Sequence, residues 1–226
     1  MPRDTLTREQ IVRAAVTLLD DEGIEGLSMR RLGARLGSAA TAVYWHVRNK
    51  DDLVVLASDA VWAEIELPDA GRVGWRAAVT AMAEDAYAMI MRHPWLVPAM
   101  STHVIYGPGK ARHDDHALSV YEAAGFAGAD AEHAATLVFT FVLGMALGTS
   151  AEVAWRTRLR REEDGGEEKV RAVMERVTEI ATGFPHLRAR TEAWQAAEPD
   201  TAAGGELAFG LQAILDGLEA RLARLR

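Results

Sequence analysis

The chain has no cysteine at any of its 226 positions. Disulfides, thiolate nucleophiles and cysteine-ligated zinc are excluded with it. Lysine occurs only at 50, 110 and 169, so arginine carries nearly all the positive charge. No stretch shows period-two alternation with β-branched enrichment, and no strand is expected. No uninterrupted apolar run is long enough to span a bilayer. The longest, around 134–148, is broken by Thr136, Thr140 and Gly144. The opening MPRDTLTREQ lacks an apolar segment of the secretory kind. A cytoplasmic protein with no membrane partner is the expectation. HExxH, GxSxG, GxGxxG and Walker A patterns are also missing. Gly107-Pro108-Gly109-Lys110 lacks both the upstream glycine spacing and the following Ser/Thr of a phosphate loop.

What is present is helical. Thr7-Arg8-Glu9-Gln10 forms a capping box, with Leu6 and Ile11 placed as a staple. Ile11, Ala15, Leu18 and Leu19 give the stripe of a first helix that Gly23 ends. Ser28 caps a second helix, Met29 to Leu36. Gly37 supplies a turn, and a third helix runs from Ala40 to Val47. Asn49 caps a fourth helix, with Asp51 and Asp52 in its first turn to suit the helix dipole, running to about Glu66. The segment 67–74, LPDAGRVG, is a breaker cluster and divides the chain into domains 5–66 and 67–226. Beyond it helices are expected near 74–92, 94–105, 110–124, 131–158, 167–182 and 205–225. Loops are expected at 107–109, 125–130, 164–166 and 197–205, and the charged run RREEDGGEE within 159–168 reads as a surface connection.

The net charge is −8, yet its sign is unevenly spread. Between Ser28 and Lys50 stand Arg30, Arg31, Arg35, Arg48 and Lys50, and no acid. A basic window in an acidic protein steers a phosphate backbone locally. Its second half, SAATAVYWHVRNK, sets three rings side by side at Tyr44, Trp45 and His46. Two short helices across a glycine turn have helix–turn–helix spacing. In that motif the start of the second helix meets base edges in the major groove. Here it offers Ala40, Thr41 and Ala42, small residues with methyls for thymine and one hydroxyl. Tyr44 and His46 are expected at phosphates on one flank. Arg48 and Lys50 lie at the next helix start, where free N–H groups also favour phosphate. Arg30 and Arg31 follow the Ser28 cap and reach the backbone or groove edge, so Ser28 joins the expected DNA-binding set. Trp45 is expected to turn away from its neighbours and plug the core beneath.

Two late helices suggest an assembly. Leu207, Leu211, Ile214, Leu218, Leu222 and Leu225 form an amphipathic stripe. The helix near 131–158 carries Val138, Phe139, Phe141, Val142, Leu143, Met145 and Leu147 on more than one face, and each apolar face must be buried. A four-helix homodimer interface built from 131–158 and 205–225 satisfies both.

The run TREQIVRAAVTLLDDEGIEGLSMRRLGARLGSAATAVYWHVRNKDDLV resembles the DNA-binding domain of the TetR family of transcriptional regulators. The match covers the first helix with Gly23, Leu-Ser-Met-Arg-Arg-Leu, the Leu-Gly turn, and Tyr-Trp-His-Val-x-Asn-Lys-x-x-Leu. Phe-Pro-His-Leu at 184–187 and Phe-Gly-Leu-Gln-Ala-Ile-Leu-Asp-Gly-Leu-Glu at 209–219 are similar to the tetracycline-repressor branch. The resemblance implies an all-α fold, with a three-helix DNA-binding domain and a larger ligand-binding and dimerising domain. It implies DNA contacts at Arg30, Ala40, Thr41, Ala42, Tyr44, His46 and Lys50. Many relatives have proline at position 41, and the threonine here bears on base preference. The implied function is repression of a palindromic double-stranded DNA operator, relieved by a hydrophobic small molecule of antibiotic or polyketide type. A hollow second domain is implied too, lined by large adaptable side chains. Trp62, Trp75, Met82, Met89, Met100, Phe139 and Met145 are expected there, with His103 and Tyr106 as polar handles.

Two other readings stand beside this one. An activator has the same sequence signature. A helical enzyme or ligand carrier would use His113-Asp114-Asp115-His116, whose histidines are spaced to share a metal. The tetracycline repressor's metal ligands do not carry over: His103 has a counterpart, but the acid expected near Gly148-Thr149 is missing. The expectation is no metal, no cofactor and no catalytic residue, with 113–116 a polar, solvated helix start.

Overall fold

A computed structural model of the chain describes residues 6–160, 166–196 and 205–225. Among the described residues there are twelve helices and no strand. They are α1 (Arg8–Gly26), α2 (Met29–Arg35), α3 (Ala40–Tyr44), α4 (Lys50–Trp62), α5 (Ala70–Val73), α6 (Trp75–Arg92), α7 (Leu96–Thr102), α8 (Pro108–Ala124), α9 (Ala129–Arg160), α10 (Gly166–Thr182), α11 (Pro185–Ala196) and α12 (Gly205–Leu225).

The capping box forms. Thr7 Oγ1 accepts the Gln10 N–H at 3.2 Å, and Gln10 Oε1 accepts the Thr7 N–H at 2.8 Å. Gly23 takes a left-handed backbone (φ 69°) and breaks α1, but the helix resumes as far as Gly26. Ser28 caps α2 by accepting the Arg31 N–H. Gly33 lets α2 and α3 meet closely: a Cβ there would lie 2.9 Å from the Ser38 carbonyl oxygen and 3.0 Å from the Ala40 nitrogen. The reading segment is shorter than the expected 40–47 helix. The His46 and Val47 N–H groups both bond to the Val43 carbonyl, and the chain turns there to reach the Asn49 cap. The fourth helix likewise stops at Trp62, not Glu66.

Ile11, Ala15, Leu18, Leu19, Leu32, Val43, Val47 and Leu53 form the inside of the first domain. Val54, Ala57, Val61 and Trp62 continue that core into the second domain. Each fully buried large side chain contributes about 1.5–3 kcal/mol, so α4 stabilises both halves at once. There α6, α8 and α9 pack on one another and α12 packs on α9. Arg76 of α6 donates to Asp216 and Glu219 of α12 at 2.6 and 2.8 Å, and Arg221 of α12 reaches Asp130 at 2.5 Å. The α12 stripe buries Leu207, Leu211, Leu218 and Leu222, with Leu215 added and Ile214 at its margin. The Leu225 side chain, residues 161–165 of the expected 159–168 loop and residues 197–204 of the expected 197–205 loop lie outside the described residues. Two helices were not expected. The short α5 lies within the 67–74 breaker cluster, capped by Asp69, and α11 starts at Pro185, a residue suited to a first helical turn.

Within α9, Ala129–Val153 is long and apolar enough to cross a membrane, by length and composition alone. The interrupting Thr136, Thr140 and Gly144 do not reduce its hydropathy below that level. In this fold it is the central helix of the second domain. Val138, Val142 and Ala146 face inward, while Leu137 and Leu147 stay 47% and 56% exposed. Its two apolar faces are therefore real, and only one is buried within the chain.

Candidate functional site

The first part of the site is the face around α3. Ala40 and Ala42 are half-buried and Thr41 is exposed at its start. Tyr44 and His46 are exposed, as expected. Trp45 corrects the sequence reading: it does not plug the core but is 88% exposed. Val43 and Val47, four apart, take the inward direction, which leaves all three rings facing out. Two of the five cations are already paired with acids of α1: Arg31 with Glu22, and Arg35 with Asp21 at 2.8 Å. Arg30 is exposed, and Arg48 lies 3.9 Å from Asp52. Lys50 begins α4, and neither it nor Arg30 has an ion pair among the described residues. Ser28 spends its hydroxyl on capping.

The second part is the seam between α4 and its neighbours. Gly109 lies against the end of α4, where a Cβ would run into the Asp59 carbonyl and come within 3.0 Å of the Ala63 nitrogen. The Lys110 N–H donates to Asp59 Oδ1 at 2.9 Å. Arg112 donates to the Ala63 and Ile65 carbonyls at 3.0 and 2.8 Å, satisfying groups that the end of α4 leaves open. Just beyond α6, His93 joins three elements. Its Nδ1 lies 2.7 Å from Asp20 of α1, and its Nε2 lies 3.3 Å from Glu64 beyond α4. The Trp95 indole donates to the same Asp20 at 2.6 Å. Burial opposes charge on His93, but the Asp20 hydrogen bond and the charges of Asp20 and Glu64 outweigh it. The ring therefore holds its proton above the ordinary 6.5.

The third part is a cavity of about 40 Å³ between α6, α8 and α9. Met82, Val79, Val138 and Phe139 give it apolar walls; its polar side chains are His113 and Tyr121. Burial pushes the Tyr121 hydroxyl above the usual phenol range, so it stays protonated. His113 is 8% exposed, which corrects the expected solvated helix start. Its ring lies 4.9 Å from Trp62, and the Phe139 ring lies 5.7 Å from Trp62. Lys110 Nζ sits over the Trp62 ring at 4.8 Å and is held by Asp114 at 2.5 Å. Burial alone would raise the Asp114 carboxyl, but hydrogen bonds from His113 and Lys110 hold it below the usual range. His116 is drawn elsewhere, its Nε2 lying 2.9 Å from the Pro68 carbonyl, so the two histidines do not converge.

Of the expected pocket residues, Met82 and Phe139 line the cavity, and Trp62 backs its wall through His113 and Phe139. The others are placed elsewhere. Trp75 packs on Tyr121 and Phe126. Met89 is buried in the common core, and Met100 and Met145 are half-buried away from the cavity. His103 turns to Thr102 and Asp51, and Tyr106 is 68% exposed. Tyr106 precedes Gly107, whose positive φ of 154° ends the loop before α8. His113 and Tyr121 were missed as pocket residues. The available signal was their spacing on one helix, with Ala117 midway on the same cavity wall.

Residues 11–57 match the family described as "Bacterial regulatory proteins, tetR family", and residues 67–222 match "Tetracyclin repressor-like, C-terminal domain". The chain is 34% identical to the HTH-type transcriptional repressor DrrR1 of Streptomyces coeruleorubidus, over 100% of this chain and 82% of that one. It is 40% identical to an HTH-type transcriptional regulator of Saccharopolyspora erythraea, over 67% of this chain and 63% of that protein, less than two thirds of its length. The fold is similar to that of Streptomyces coelicolor ActR in complex with actinorhodin. The TM-score is 0.70 at 29% identity, covering 96% of this chain and 97% of that one.

Proposed function

Because the chain belongs to the TetR family of bacterial transcriptional regulators, we propose that it is a homodimeric, cytoplasmic repressor released from its operator by a hydrophobic small molecule. One observation carries this reading: α4 joins the two parts of the site. It begins at Lys50 beside the exposed rings and ends at Trp62 against the cavity residues His113 and Phe139. Each subunit lays α3 into one major groove, with half-sites about one helical turn, roughly 34–36 Å, apart. Thr41 and the two alanines read base edges, while Tyr44, His46, Arg48, Lys50 and Arg30 grip the backbone. The open faces of α9 and α12, with Leu137, Leu147 and Phe209 exposed, form the dimer. DrrR1 is described as a repressor, and an ActR structure holds actinorhodin; both support the repressor and ligand parts of this reading.

The cavity is far below the ~300 Å³ that a drug-sized ligand fills, so its walls must move to admit one. His113 and Phe139 cannot move without disturbing Trp62. The ligand acts by binding the moved arrangement more tightly than the closed one.

The test is a fluorescence-anisotropy titration against the chain's own upstream intergenic DNA at two salt concentrations. Saturable binding that random DNA does not compete away is expected, with a salt slope that counts phosphate contacts. Tyr44→Ala and Lys50→Ala should each weaken binding by about tenfold while the fold is unchanged, the order of one charge-assisted contact. Wild-type affinity in both variants would show that this is not the recognition face.

A further inference from the structure

We propose that Asp59 of α4 is a positioning residue: it supplies the N-terminal cap that α8 lacks, and so ties the start of α8 to the position of α4. This deepens the ligand-responsive reading above, as the regulation of the same site, and rests on it. Gly107 stands at the cap of α8 with no side chain to offer, and Pro108 after it has no N–H. The Lys110 N–H, third in the helix, is a donor that a cap side chain ordinarily takes. Here it donates to Asp59 Oδ1 of another helix, at 2.9 Å. A carboxylate at that end also suits the helix dipole. Two glycines make room for it. A Cβ on Gly107 would overlap the Asp59 carboxylate, and one on Gly109 would overlap the Asp59 carbonyl oxygen.

The exchange runs both ways. Arg112 of α8 donates to the Ala63 and Ile65 carbonyls at 3.0 and 2.8 Å. An N–H at the start of α8 is closed by α4, and carbonyls at the end of α4 are closed by α8, so displacing either helix opens both. Asp59 lies roughly 13 Å along α4 from Lys50, at 1.5 Å per residue. The turn that it caps leads directly to His113 on the cavity wall. The cap therefore stands between the expected DNA-facing start of α4 and the cavity. With the cap in place the cavity is closed to about 40 Å³, so the capped arrangement is the ligand-free one, in which a ligand-released repressor binds DNA. Coupling is reciprocal: an operator that favours this position of α4 favours the cap as well.

The experiment follows hydrogen–deuterium exchange of the backbone amides at 107–112 in the full-length protein, with and without its own upstream intergenic DNA. In the wild type DNA should slow exchange there by about fivefold, the low end of coupling between two sites. Asp59→Asn presents the same oxygen to the Lys110 N–H and should slow as the wild type does. Asp59→Ala should still bind DNA in anisotropy but show no DNA-dependent slowing. A cap that serves α8 alone would lower protection in Asp59→Ala equally with and without DNA, so the readout is the difference that DNA makes. Unchanged or faster exchange in the DNA-bound wild type overturns the proposal, and so does equal slowing in Asp59→Ala. The wild-type comparison stands whether or not a variant folds. Anisotropy on the same samples separates the two failures: no specific DNA binding sinks the regulator reading, whereas binding without slower exchange sinks the role of Asp59 alone.

Discussion

Trp45 precedes α4 and Trp62 ends it, and the two are treated in opposite ways. Trp45 is 88% exposed beside Tyr44 and His46; Trp62 is 0% exposed, packed by His113, Phe139 and Lys110. An indole left in water contributes nothing to the isolated fold, and a patch of exposed rings marks a surface that something else covers. The buried indole is fixed by the chain itself, and its Nε1 has no hydrogen-bond partner among the described residues. The first domain thus leaves its rings to the outside, while the seam at the end of α4 is closed from within. Substitutions at the two places should separate stability from binding.

The largest effect is expected at Trp62. Replacing it with alanine removes a fully buried ring from the junction of both domains and should cost about 3–5 kcal/mol in urea denaturation. Trp45→Ala should stay within about 0.5 kcal/mol of wild type, as exposed positions do. Similar losses at both positions would erase the distinction.

Next comes Gly109. A methyl there meets the Asp59 carbonyl and the Ala63 nitrogen, which are backbone and cannot swing aside. Gly109→Ala should push α8 from α4 and cost about 1–3 kcal/mol, the usual penalty of overpacking. If it also blunts ligand release from DNA while ligand affinity persists, the seam is the coupling element. An unchanged melting temperature would show that α8 does not clamp α4 there.

The two regions also differed in how well the sequence exposed them. Caps and glycines announced α1, α2 and α4, and the exposure of Tyr44, His46 and Arg48 was legible because they stand in a contiguous run of unusual residues. The ends of α3 and α4 were placed too late, and the direction of Trp45 was misjudged, since it depends on α3 stopping at Tyr44 and on Val43 and Val47 taking the core. The cavity was largely illegible. Its wall draws small and branched residues from three helices that meet only after folding, and their side chains look like ordinary core. Choosing the large residues found Met82 and Phe139 but also collected Trp75, Met89, Met100 and Met145. His113 was passed over because its acidic neighbours suggested solvent.

A smaller, pH-dependent effect belongs to His93, which ties Asp20 of α1 to Glu64 beyond α4. Its folded pKa is raised above 6.5, so its contribution is fully present below about 6.5 and is lost as the pH rises through the folded value. The stability gap between wild type and His93→Gln should therefore be widest below about pH 6.5 and narrow as the pH rises above it. The other histidines cancel in that difference. A gap independent of pH would mean that the ring acts by packing alone.

The smallest effect on the fold, and the sharpest probe of the comparison, is at Trp45. Phenylalanine there keeps an exposed ring and should leave stability within about 0.5 kcal/mol of wild type. The other described indoles, at 62, 75, 95 and 155, are all less than half exposed and lie away from α3. If DNA covers the α3 face, Trp45 moves from water to the groove edge when operator binds, and its emission should change. Wild type should then show a fluorescence change on titration with operator that Trp45→Phe mostly lacks, although both bind in anisotropy. A full change in the variant would place the responding indole elsewhere. That would shift attention to Trp62, and to movement of α4 as a consequence of DNA binding itself.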